Sequence, residues 1–467
     1  MAKEEKNTLL DSIVALAKRR GFIYQGSEIY GGLAGTWDYG PLGLALKNNI
    51  KNLWWKRFVD DREDMYGVDA AILMNQNVWK ASGHARGFAD MLVECSKCKR
   101  RFRADHIRSD LKDPEKVGPL SCPECGGSLG EPRQFYMMLE THIGAVQDAS
   151  SLSYLRPETA QGMFVNFKNV VDSFHPRLPF GLAQIGKAFR NEIAPRDFTF
   201  RAREFEQMEI EYFVEPTMWQ DSFEHFRKEM WNFVKDVGID ETHVHELEIP
   251  DGDRAHYSKR TIDFEFDFPF GRKELYGLAY RTDYDLKAHT EASKVDLSFF
   301  DDERKIRFIP HVIEPSFGVD RTVLAVLSDA YREDTMGLKR PLDGRSPDHP
   351  QDADDLGEKR VYLALSPRVA PYVAAVFPLL KNKPALVEKA REVYTVLKKE
   401  LVRVDFDDNG NIGKRYRRQD EIGTPFCITL DFDSLEKEDV TVRGRDTGKQ
   451  ERVKVSELAD YLKRKTS

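Results

Sequence analysis

Arginines, carboxylates and one aromatic residue lie close together in a segment of the sequence that has the pattern of a β-hairpin. Arg190 and Glu192 are two positions apart, so in a strand they face the same side. An arginine-rich loop follows, and residues 205–214 then alternate polar with apolar positions. Arginine is suited to bidentate contacts with phosphate and to stacking on planar rings. A solvated hairpin with surface ion pairs is the alternative, but Phe205 on the polar face argues for a binding surface.

Three further segments carry residues with the same kind of chemistry. A short apolar strand within 310–318 leads into a helix with Arg321 in its first turn, and a helix N-terminus already attracts anions. Glu158 stands in the run Arg-Pro-Glu-Thr-Ala-Gln-Gly, and Glu274 stands before Leu-Tyr-Gly. Each segment is weak alone, because glutamate is most often a surface residue.

Four of the five cysteines form two Cys-x-x-Cys pairs, and this spacing indicates a metal site. Four thiolates suit a closed, structural Zn²⁺ site, and the glycines after the second pair are typical of a zinc-ribbon knuckle. Reduced cysteines in a loop without metal are the alternative. The predicted ligands are Cys95, Cys98, Cys122 and Cys125. Cys427 lies in an apolar, strand-like run and is expected in the core.

Length and composition exclude several classes of protein. The 467 residues fit about three domains, and a hydrophobic content of 41% is enough to build their cores. The net charge of −7 excludes a globally basic protein that coats nucleic acid, but it allows local basic patches. No apolar run reaches the length of a membrane span, and the N-terminal apolar stripe is amphipathic rather than a signal peptide. We therefore expect a cytoplasmic protein.

Hydrophobic periodicity places the elements around these residues. Residues 42–59 have the pattern of a long amphipathic helix, and residues 331–358, rich in Asp, Pro and Gly, are predicted to be a linker. The chain after the linker alternates strand-like and helical runs, which predicts a small α/β domain with mostly parallel strands. Its strands are expected at 361–365, 402–406 and 426–430, its helix at 386–401 and a final hairpin at 440–455.

Taken in order, these segments resemble the motifs of class II aminoacyl-tRNA synthetases. The run Gly-Pro-Leu-Gly and the helix after it resemble motif 1, at about residues 40–59. Residues 181–214, with Phe-Arg-Asn-Glu and the strand that begins near Phe205, resemble motif 2. Residues 309–329, with Gly-Val-Asp-Arg, resemble motif 3. Each motif is degenerate alone, but the ordered set is highly specific.

Other runs are similar to one branch of that class, the homodimeric (α₂) glycyl-tRNA synthetase family. They are Arg-Pro-Glu-Thr-Ala-Gln-Gly at 156–162, Glu-Phe-Glu-Gln-Met-Glu-Ile-Glu at 204–211 and Glu-Pro-Ser at 314–316. The resemblance covers essentially the whole chain and implies an α+β fold class. The implied parts are a class II antiparallel-sheet catalytic domain at 1–330, a zinc-ribbon-like module inserted in it at 84–135, the polar linker at 331–358, and a C-terminal α/β anticodon-binding domain at 359–467.

The resemblance also implies a reaction and its ligands. The protein would join glycine and ATP to glycyl-adenylate with release of pyrophosphate, and would transfer glycine to the 3′ end of tRNA(Gly). ATP would bind together with Mg²⁺, and motif 1 would carry the interface of a homodimer. The implied ATP-binding residues are Arg190, Asn191, Glu192, Arg201, Arg203, Phe205, Glu274, Leu275, Gly318 and Arg321. The implied glycine-binding residues are Arg103, Glu158, Glu209, Glu314 and Ser316.

Individual roles follow from the same resemblance. Arg190 would bind the α-phosphate, Glu192 the adenine amino group, and Glu274 the Mg²⁺ ion. Phe205 and Arg321 would sandwich the adenine ring. The implied catalytic residues are Arg190, Glu192, Glu274 and Arg321. Such phosphoryl-centre chemistry depends on positioning and positive charge rather than on a strong base, so the lack of a Ser-His-Asp set is expected.

Glycine has no side chain, so a pocket can read only its ammonium and carboxylate groups and exclude bulk. Several carboxylates around one compact cation suit this task, and rejecting alanine is a steric task, so we expect no editing domain. We expect neither DNA nor a membrane as a partner. Two basic clusters are candidate tRNA contacts, with a solvated face as the alternative. They are Lys97, Lys99, Arg100, Arg101, Arg103 and Arg108, and Lys414, Arg415, Arg417 and Arg418.

Two other functions fit parts of the pattern. A non-catalytic, synthetase-like module would keep the fold and bind nucleic acid, but it would not need Arg190, Glu192, Glu274 and Arg321 together. A class II synthetase for serine, threonine or proline is the other alternative. The three glutamates assigned to the glycine pocket argue against that alternative.

Overall fold

The computed structural model describes residues 8–104, 107, 121–149, 151–334 and 360–466. Arg108 and most of the predicted linker lie outside these residues. The described helices are, in chain order, α1 (Thr8–Arg20), α2 (Pro41–Trp55), α3 (Gln76–Ala81), α4 (His84–Gly87), α5 (Ala160–Phe174), α6 (Trp219–Asp236), α7 (Tyr284–Ser293), α8 (Val319–Ala330), α9 (Pro384–Leu401), α10 (Ile412–Glu421), α11 (Phe432–Lys437) and α12 (Leu458–Thr466). In this part of the chain, no helix combines the length and the apolar character needed to cross a membrane.

The strands divide into those before and those after the rest of the predicted linker, residues 335–358. Before it they are β1 (Ile23–Gln25), β2 (Trp37–Tyr39), β3 (Met65–Gly67), β4 (Ala89–Glu94), β5 (Arg101–Arg103), β6 (Arg133–Tyr136), β7 (Leu139–His142), β8 (Leu152–Leu155), β9 (Phe180–Phe189), β10 (Glu204–Val214), β11 (Val244–Glu248), β12 (Arg260–Phe268), β13 (Gly271–Thr282), β14 (Phe299–Asp301), β15 (Ile306–Phe308), β16 (His311–Gly318) and β17 (Tyr331–Asp334). After it they are β18 (Arg360–Leu363), β19 (Ala374–Pro378), β20 (Val404–Phe406), β21 (Phe426–Leu430), β22 (Asp439–Gly444) and β23 (Gln450–Lys454).

Seven strands form the central sheet, in the order β11-β12-β13-β16-β10-β9-β3. Neighbours are antiparallel except β3, which runs parallel to β9 at one edge. One face packs on α2, α6 and α8 around the largest hydrophobic cluster, to which β10 contributes Met208 and Ile210. Because side chains alternate along a strand, Phe205 and Glu209 point to the opposite face. The sheet therefore has the predicted antiparallel architecture, and the part of its second face that α5 does not cover is left for a site.

Helix α2 packs under this sheet, and its first turn approaches the backbone just before β1 unusually closely. A Cβ at Gly43 would stand 1.8 Å from the carbonyl oxygen of Phe22, so only glycine fits there. A π-helical turn, Lys56–Asp60, continues the helix. The helix predicted at 42–59 is therefore present, with a change of helical type in its last turn.

A small module is inserted between the first helices and α5. Its sheet has three antiparallel strands in the order β5-β4-β6. A separate hydrophobic cluster forms its centre, and Cys95 and Cys122 are buried in that cluster with Val93 and Leu129. A module of this size has little apolar surface to bury, so a cross-link at the cysteines would add to its stability.

The C-terminal sheet has five strands in the order β20-β19-β21-β22-β23. Strand β19 is parallel to β20 and β21, whereas β21-β22 and β22-β23 are antiparallel, so the sheet is mixed rather than mostly parallel. The prediction missed β19 because this strand is buried on both faces and shows no alternation. The hairpin predicted at 440–455 is formed by β22 and β23, and Cys427 is buried as expected.

The junction between the two main parts differs from the predicted boundary. Residues 331–334, assigned to the linker, form β17, and the run predicted as the first strand of the C-terminal sheet pairs with β17 as β18. Leu363, Leu365, Val369 and Ala370 belong to the hydrophobic cluster of the catalytic part. The segment after the linker is therefore packed on the first domain before the second sheet begins.

Candidate active site

A cavity of about 590 Å³ opens on the free face of the central sheet. Strands β10, β13 and β16 form its floor, and the inserted module contributes Arg103 to its wall. The predicted residues that line it are Arg103, Glu158, Arg190, Glu192, Arg201, Phe205, Glu209, Glu274, Leu275, Glu314, Ser316, Gly318 and Arg321. We call the part around Arg190, Arg201 and Arg321 the arginine end, and the part around Glu158, Glu209 and Glu314 the carboxylate end.

Arg190 lies just after β9, where its guanidinium group is held between aromatic rings. Its Cζ atom is 5.2 Å from the ring centre of Phe205 and 5.4 Å from that of Phe88. Its Nε donates to the carbonyl oxygen of Pro157 at 3.1 Å. The backbone thus fixes one edge of the guanidinium group. The stacked arrangement suits recognition of an anion beside a planar ring.

Arg321 stands in the first turn of α8 and forms a second stacked group. Its Nη1 lies 3.1 Å from Glu274 Oε2, and its Cζ lies 4.5 Å from the ring centre of Phe200. The positive charge of Arg321 lowers the pKa of Glu274 below its ordinary value. The expected sandwich pairs Phe205 with Arg321, but in this structure Arg321 stacks on Phe200 and Arg190 stacks on Phe205. The sequence analysis did not single out Phe200, although it lies in the arginine-rich loop.

The remaining residues of this end have different surroundings. Glu192 Oε2 is buried and has no hydrogen-bond partner among the described residues; Arg201 Nε is 3.9 Å away. Arg203 donates to the carbonyl oxygens of Ala34 at 2.7 Å and Glu192 at 3.0 Å. Arg203 and Asn191 do not line the cavity. In this structure Arg203 supports the loop instead of facing the space that phosphates would occupy.

A carboxyl group with a raised pKa lies near Glu274. Burial and the negative charges of Glu274 and Glu265 raise the pKa of Asp263 to about 7, although Arg321 opposes the shift. Asp263 lines the cavity and was not predicted. Repulsion between neighbouring carboxyl groups of this kind is relieved by a bound cation.

At the carboxylate end, Glu209 is held by neutral donors. The hydroxyl groups of Ser316, at 2.9 Å, and of Thr159 donate to its two oxygens, and Gln207 Nε2 donates at 3.3 Å. Glu209 and Ser316 face each other across β10 and β16. Burial and the charge of Glu158 raise the pKa of Glu209 in spite of these bonds. The carboxyl group is therefore fixed in place by neutral donors, and no described residue forms an ion pair with it.

An arginine that the prediction did not assign organises the other carboxylates. Arg281 donates two hydrogen bonds to Asp285, at 2.8 and 2.9 Å, and one to Glu314 at 2.6 Å. Its Cζ stacks 3.8 Å from the ring centre of Tyr257. Arg281 is 1% exposed, so these bonds form away from water. Asp285 in turn accepts a hydrogen bond from Gln161 at 3.0 Å.

The four predicted metal ligands converge in the inserted module. Their sulfur atoms all lie within 4.8 Å of one another. Beside them, a Cβ at Gly127 would stand 3.0 Å from the Cys95 sulfur, so glycine allows the knuckle backbone to approach. Four cysteine sulfurs at this separation fit a tetrahedral ion.

The two basic clusters have different environments. In the insertion, Arg100 pairs with Glu124 and Arg101 with Glu94. The C-terminal cluster needs a correction, because Arg415 is 1% exposed and donates to three backbone carbonyl groups. Arg415 is therefore a structural residue, and it is not available to tRNA as predicted. The two exposed basic residues of that cluster are Lys414 and Arg417.

Comparison with known proteins gives consistent results along the whole chain. Residues 145–330 match the tRNA synthetase class II core domain (G, H, P, S and T), and residues 374–465 match the anticodon binding domain. The glycine–tRNA ligase of Thermobifida fusca is 49% identical over 468 residues, or 98% of each chain. That of Clostridium acetobutylicum is 48% identical over 99% of each chain, and that of Streptomyces coelicolor 48% over 97%.

The chain belongs to the glycine–tRNA ligase family. Membership of this family confirms the predicted fold class, a class II catalytic core with a C-terminal anticodon-binding domain. These relatives are glycine–tRNA ligases and not synthetases for serine, threonine or proline. The site assignments within the glycine–tRNA ligase fold stay predictions.

Proposed function

We propose that glycine and ATP bind side by side in this cavity. Family membership makes the protein a glycine–tRNA ligase. A glycine carboxylate oxygen attacks the α-phosphorus of ATP, the bond to the leaving pyrophosphate breaks, and glycyl-adenylate forms. A hydroxyl of the terminal adenosine of tRNA then attacks the glycyl carbonyl carbon and AMP leaves. One observation carries the assignment: a single cavity has stacked arginines at one end and buried carboxylates at the other.

The arginine end binds ATP in this proposal. Arg190, fixed by the Pro157 carbonyl group, contacts the α-phosphate and stabilises the charge that develops there. The unpartnered oxygen of Glu192 accepts a hydrogen bond from the adenine amino group. Phe205 and Arg321 enclose the adenine, which requires Arg321 to rotate away from Phe200. Arg201, which lines the cavity at the edge of the loop, contacts the outer phosphates of ATP.

Mg²⁺ fits the donor set around Glu274. Carboxylate oxygens are the ligands that Mg²⁺ prefers, and Arg321 keeps the pKa of Glu274 low, so this group is ionised at neutral pH. When bound there, Mg²⁺ would supply positive charge that offsets the negative charge of the ATP phosphates. Asp263 is the second carboxyl group within reach of such an ion.

The carboxylate end binds glycine. Glu158, Glu209 and Glu314 surround the ammonium group, and Ser316 fixes Glu209 through a 2.9 Å hydrogen bond. The pocket has no need for an apolar subsite, because glycine offers no side chain. Tyr257, which lines the cavity and stacks on Arg281, is a bulky side chain that would exclude larger amino acids.

Zinc, tRNA and a second subunit complete the proposal. The Cys95, Cys98, Cys122 and Cys125 sulfurs hold one structural Zn²⁺, which stabilises the module that carries Arg103. The C-terminal domain binds the anticodon arm. Homodimer formation through motif 1 is supported by large apolar residues that are exposed in motif 1 and in the segment before it. They are Ile29, Tyr30, Leu33 and Leu44.

The experiment that tests the function is ATP–pyrophosphate exchange with each of the twenty amino acids in the absence of tRNA. Exchange with glycine alone would support the reaction, the substrate and the site together. Exchange with another amino acid would keep the class and overturn the pocket assignment. No exchange by folded, zinc-replete protein would favour the non-catalytic synthetase-like module.

A further inference from the structure

The carboxylate end contains more buried acid than its cations can offset. Five carboxyl groups are each less than 10% exposed: Glu158, Glu209, Glu211, Asp285 and Glu314. Among the described residues, Arg281 is the only arginine or lysine that forms an ion pair with any of them. Burying several like charges against a single cation is strongly unfavourable. Some of these groups must therefore hold protons when the pocket has no ligand.

The hydrogen bonds show which groups lack compensation. Asp285 accepts two hydrogen bonds from Arg281, and Glu158 has Gln161 at 3.0 Å and His84 at 3.3 Å. Neither oxygen of Glu211 has a hydrogen-bond partner among the described residues. Glu314 has one bond from Arg281.

Glu211 and Glu314 also lie next to each other. The register that pairs Glu209 with Ser316 and Tyr212 with Ile313 places Glu211 opposite Glu314 on neighbouring strands. Side chains directly opposite on antiparallel strands are close neighbours, and like charges at such positions repel. This pair is therefore the place where a buried proton is most favourable.

The pKa values of the two glutamates agree with that placement. Burial, together with Glu209 and Glu158, raises the pKa of Glu314 to about 8 against the opposing effect of Arg281; Asp285 on α7 adds to the rise. Burial and Glu314 raise the pKa of Glu211 well above its ordinary value. Two other titratable groups nearby have lowered pKa values instead. The pKa of Glu158 is lowered by His84 and Arg281 although burial raises it, and burial lowers the pKa of His289.

We propose that glycine enters this pocket by displacing a proton from Glu314, so that binding of the ammonium group and loss of that proton are one linked event. Glu211 keeps its proton in both states and remains neutral. The incoming cation supplies the positive charge that Arg281 alone does not, and Glu314 becomes the third carboxylate around it. This inference rests on the proposed assignment of the carboxylate end to glycine.

The linkage has a definite sign. A cation that binds the ionised form of Glu314 competes with its proton, so glycine binds more tightly as pH rises. Below the Glu314 pKa of about 8, the glycine affinity should rise about tenfold per pH unit. Above that pKa the group is already ionised, and the dependence should level off.

Isothermal titration of the full chain with glycine, in buffers of different ionisation enthalpy, measures the proton directly. We expect about one proton released per glycine at about pH 6.5, and a fraction that falls as pH passes the Glu314 pKa. Glycine binding without proton release would overturn the inference and leave the proposed function standing. Absence of glycine binding would overturn the proposed function itself.

A matched pair of variants assigns the proton. Glu314→Gln should abolish the release, whereas Glu211→Gln should leave the proton count unchanged, because a neutral amide replaces a neutral carboxyl group. Release that persists in Glu314→Gln would assign the proton to another group, such as Glu209, whose pKa is also raised, and would overturn the proposal. The wild-type pH series decides the question even if one variant fails to fold.

Discussion

At the carboxylate end of the cavity, Arg281 and its partners are almost fully buried and linked by short hydrogen bonds. At the arginine end, Arg321 has a side chain 27% exposed and a single carboxylate partner, itself 49% exposed. The rigid end suits a ligand with one compact charge. The open end suits a long polyphosphate that must enter, react and leave. The same sheet thus holds a preorganised pocket beside an adjustable one.

The largest expected effect comes from removing the buried cation. Arg281→Met should lower the free energy of unfolding by about 3–5 kcal/mol, because Asp285 would be left buried without its cationic partner. The loss should shrink as pH falls, since protonation neutralises that carboxyl group. Urea denaturation at two pH values measures both effects. The matched control is Arg321→Met, which should cost less than about 1 kcal/mol of stability while still abolishing exchange; equal destabilisation would remove the contrast between the ends.

The next effect concerns the glycine pocket alone. Glu209→Ala should lower kcat/KM for glycine by about 2–4 kcal/mol, roughly 30- to 1000-fold, because it removes a buried partner of the ammonium group. ATP binding should persist, as measured by fluorescence or calorimetric titration. Glu204→Ala, on the same strand but exposed beside Lys187, is the control and should have no such effect. Unchanged glycine kinetics in Glu209→Ala would contradict the pocket assignment.

A smaller effect is expected from a conservative change at the arginine end. Arg190→Lys keeps the charge but loses the planar group that stacks between Phe205 and Phe88. It should slow exchange by raising the activation free energy by about 1–3 kcal/mol. Steady-state exchange at varied ATP and glycine should show the loss in the ATP dependence and kcat. A rise in glycine KM alone would place Arg190 in the wrong end of the cavity.

The smallest effect on activation should come from the metal site, which lies in the insertion. Cys122→Ser should lose the bound zinc, measured by elemental analysis, and should destabilise the module around Val93 and Leu129. Cys427→Ser lies in the C-terminal core and should keep one zinc per chain. If Cys427→Ser loses zinc as well, the four-cysteine assignment fails.

The sequence was sufficient for residues whose role depends on local pattern. Alternation along β10 assigned Phe205 and Glu209 to the face opposite Met208, and the cysteine spacing identified the four sulfurs that converge. Both features are read within one strand or one pair of turns. They therefore need no knowledge of the rest of the fold.

Residues whose partners come from distant segments were not predictable in this way. Arg203 resembles Arg201 in sequence, but the carbonyl of Ala34 from the N-terminal part holds it. Arg415 belongs to a run of basic residues that is typical of an exposed surface, but its guanidinium group is buried against the Pro378 carbonyl. Arg281 can pair locally with Asp285, four residues later, but it gains its role only when β16 brings Glu314 to the same guanidinium group. Tertiary contact decides each of these cases.

The packing at the domain junction fixes the distance between the cavity and the C-terminal domain. Leu363, Leu365 and Ile422 share one apolar cluster with the catalytic sheet, and Arg20 at the end of α1 pairs with Glu421 of the C-terminal domain. Two bodies with a common interior cannot swing independently. The span from the cavity to the anticodon-binding surface is thus set by the protein. In the proposed function, a tRNA must match that fixed span, so its overall length and shape contribute to its recognition.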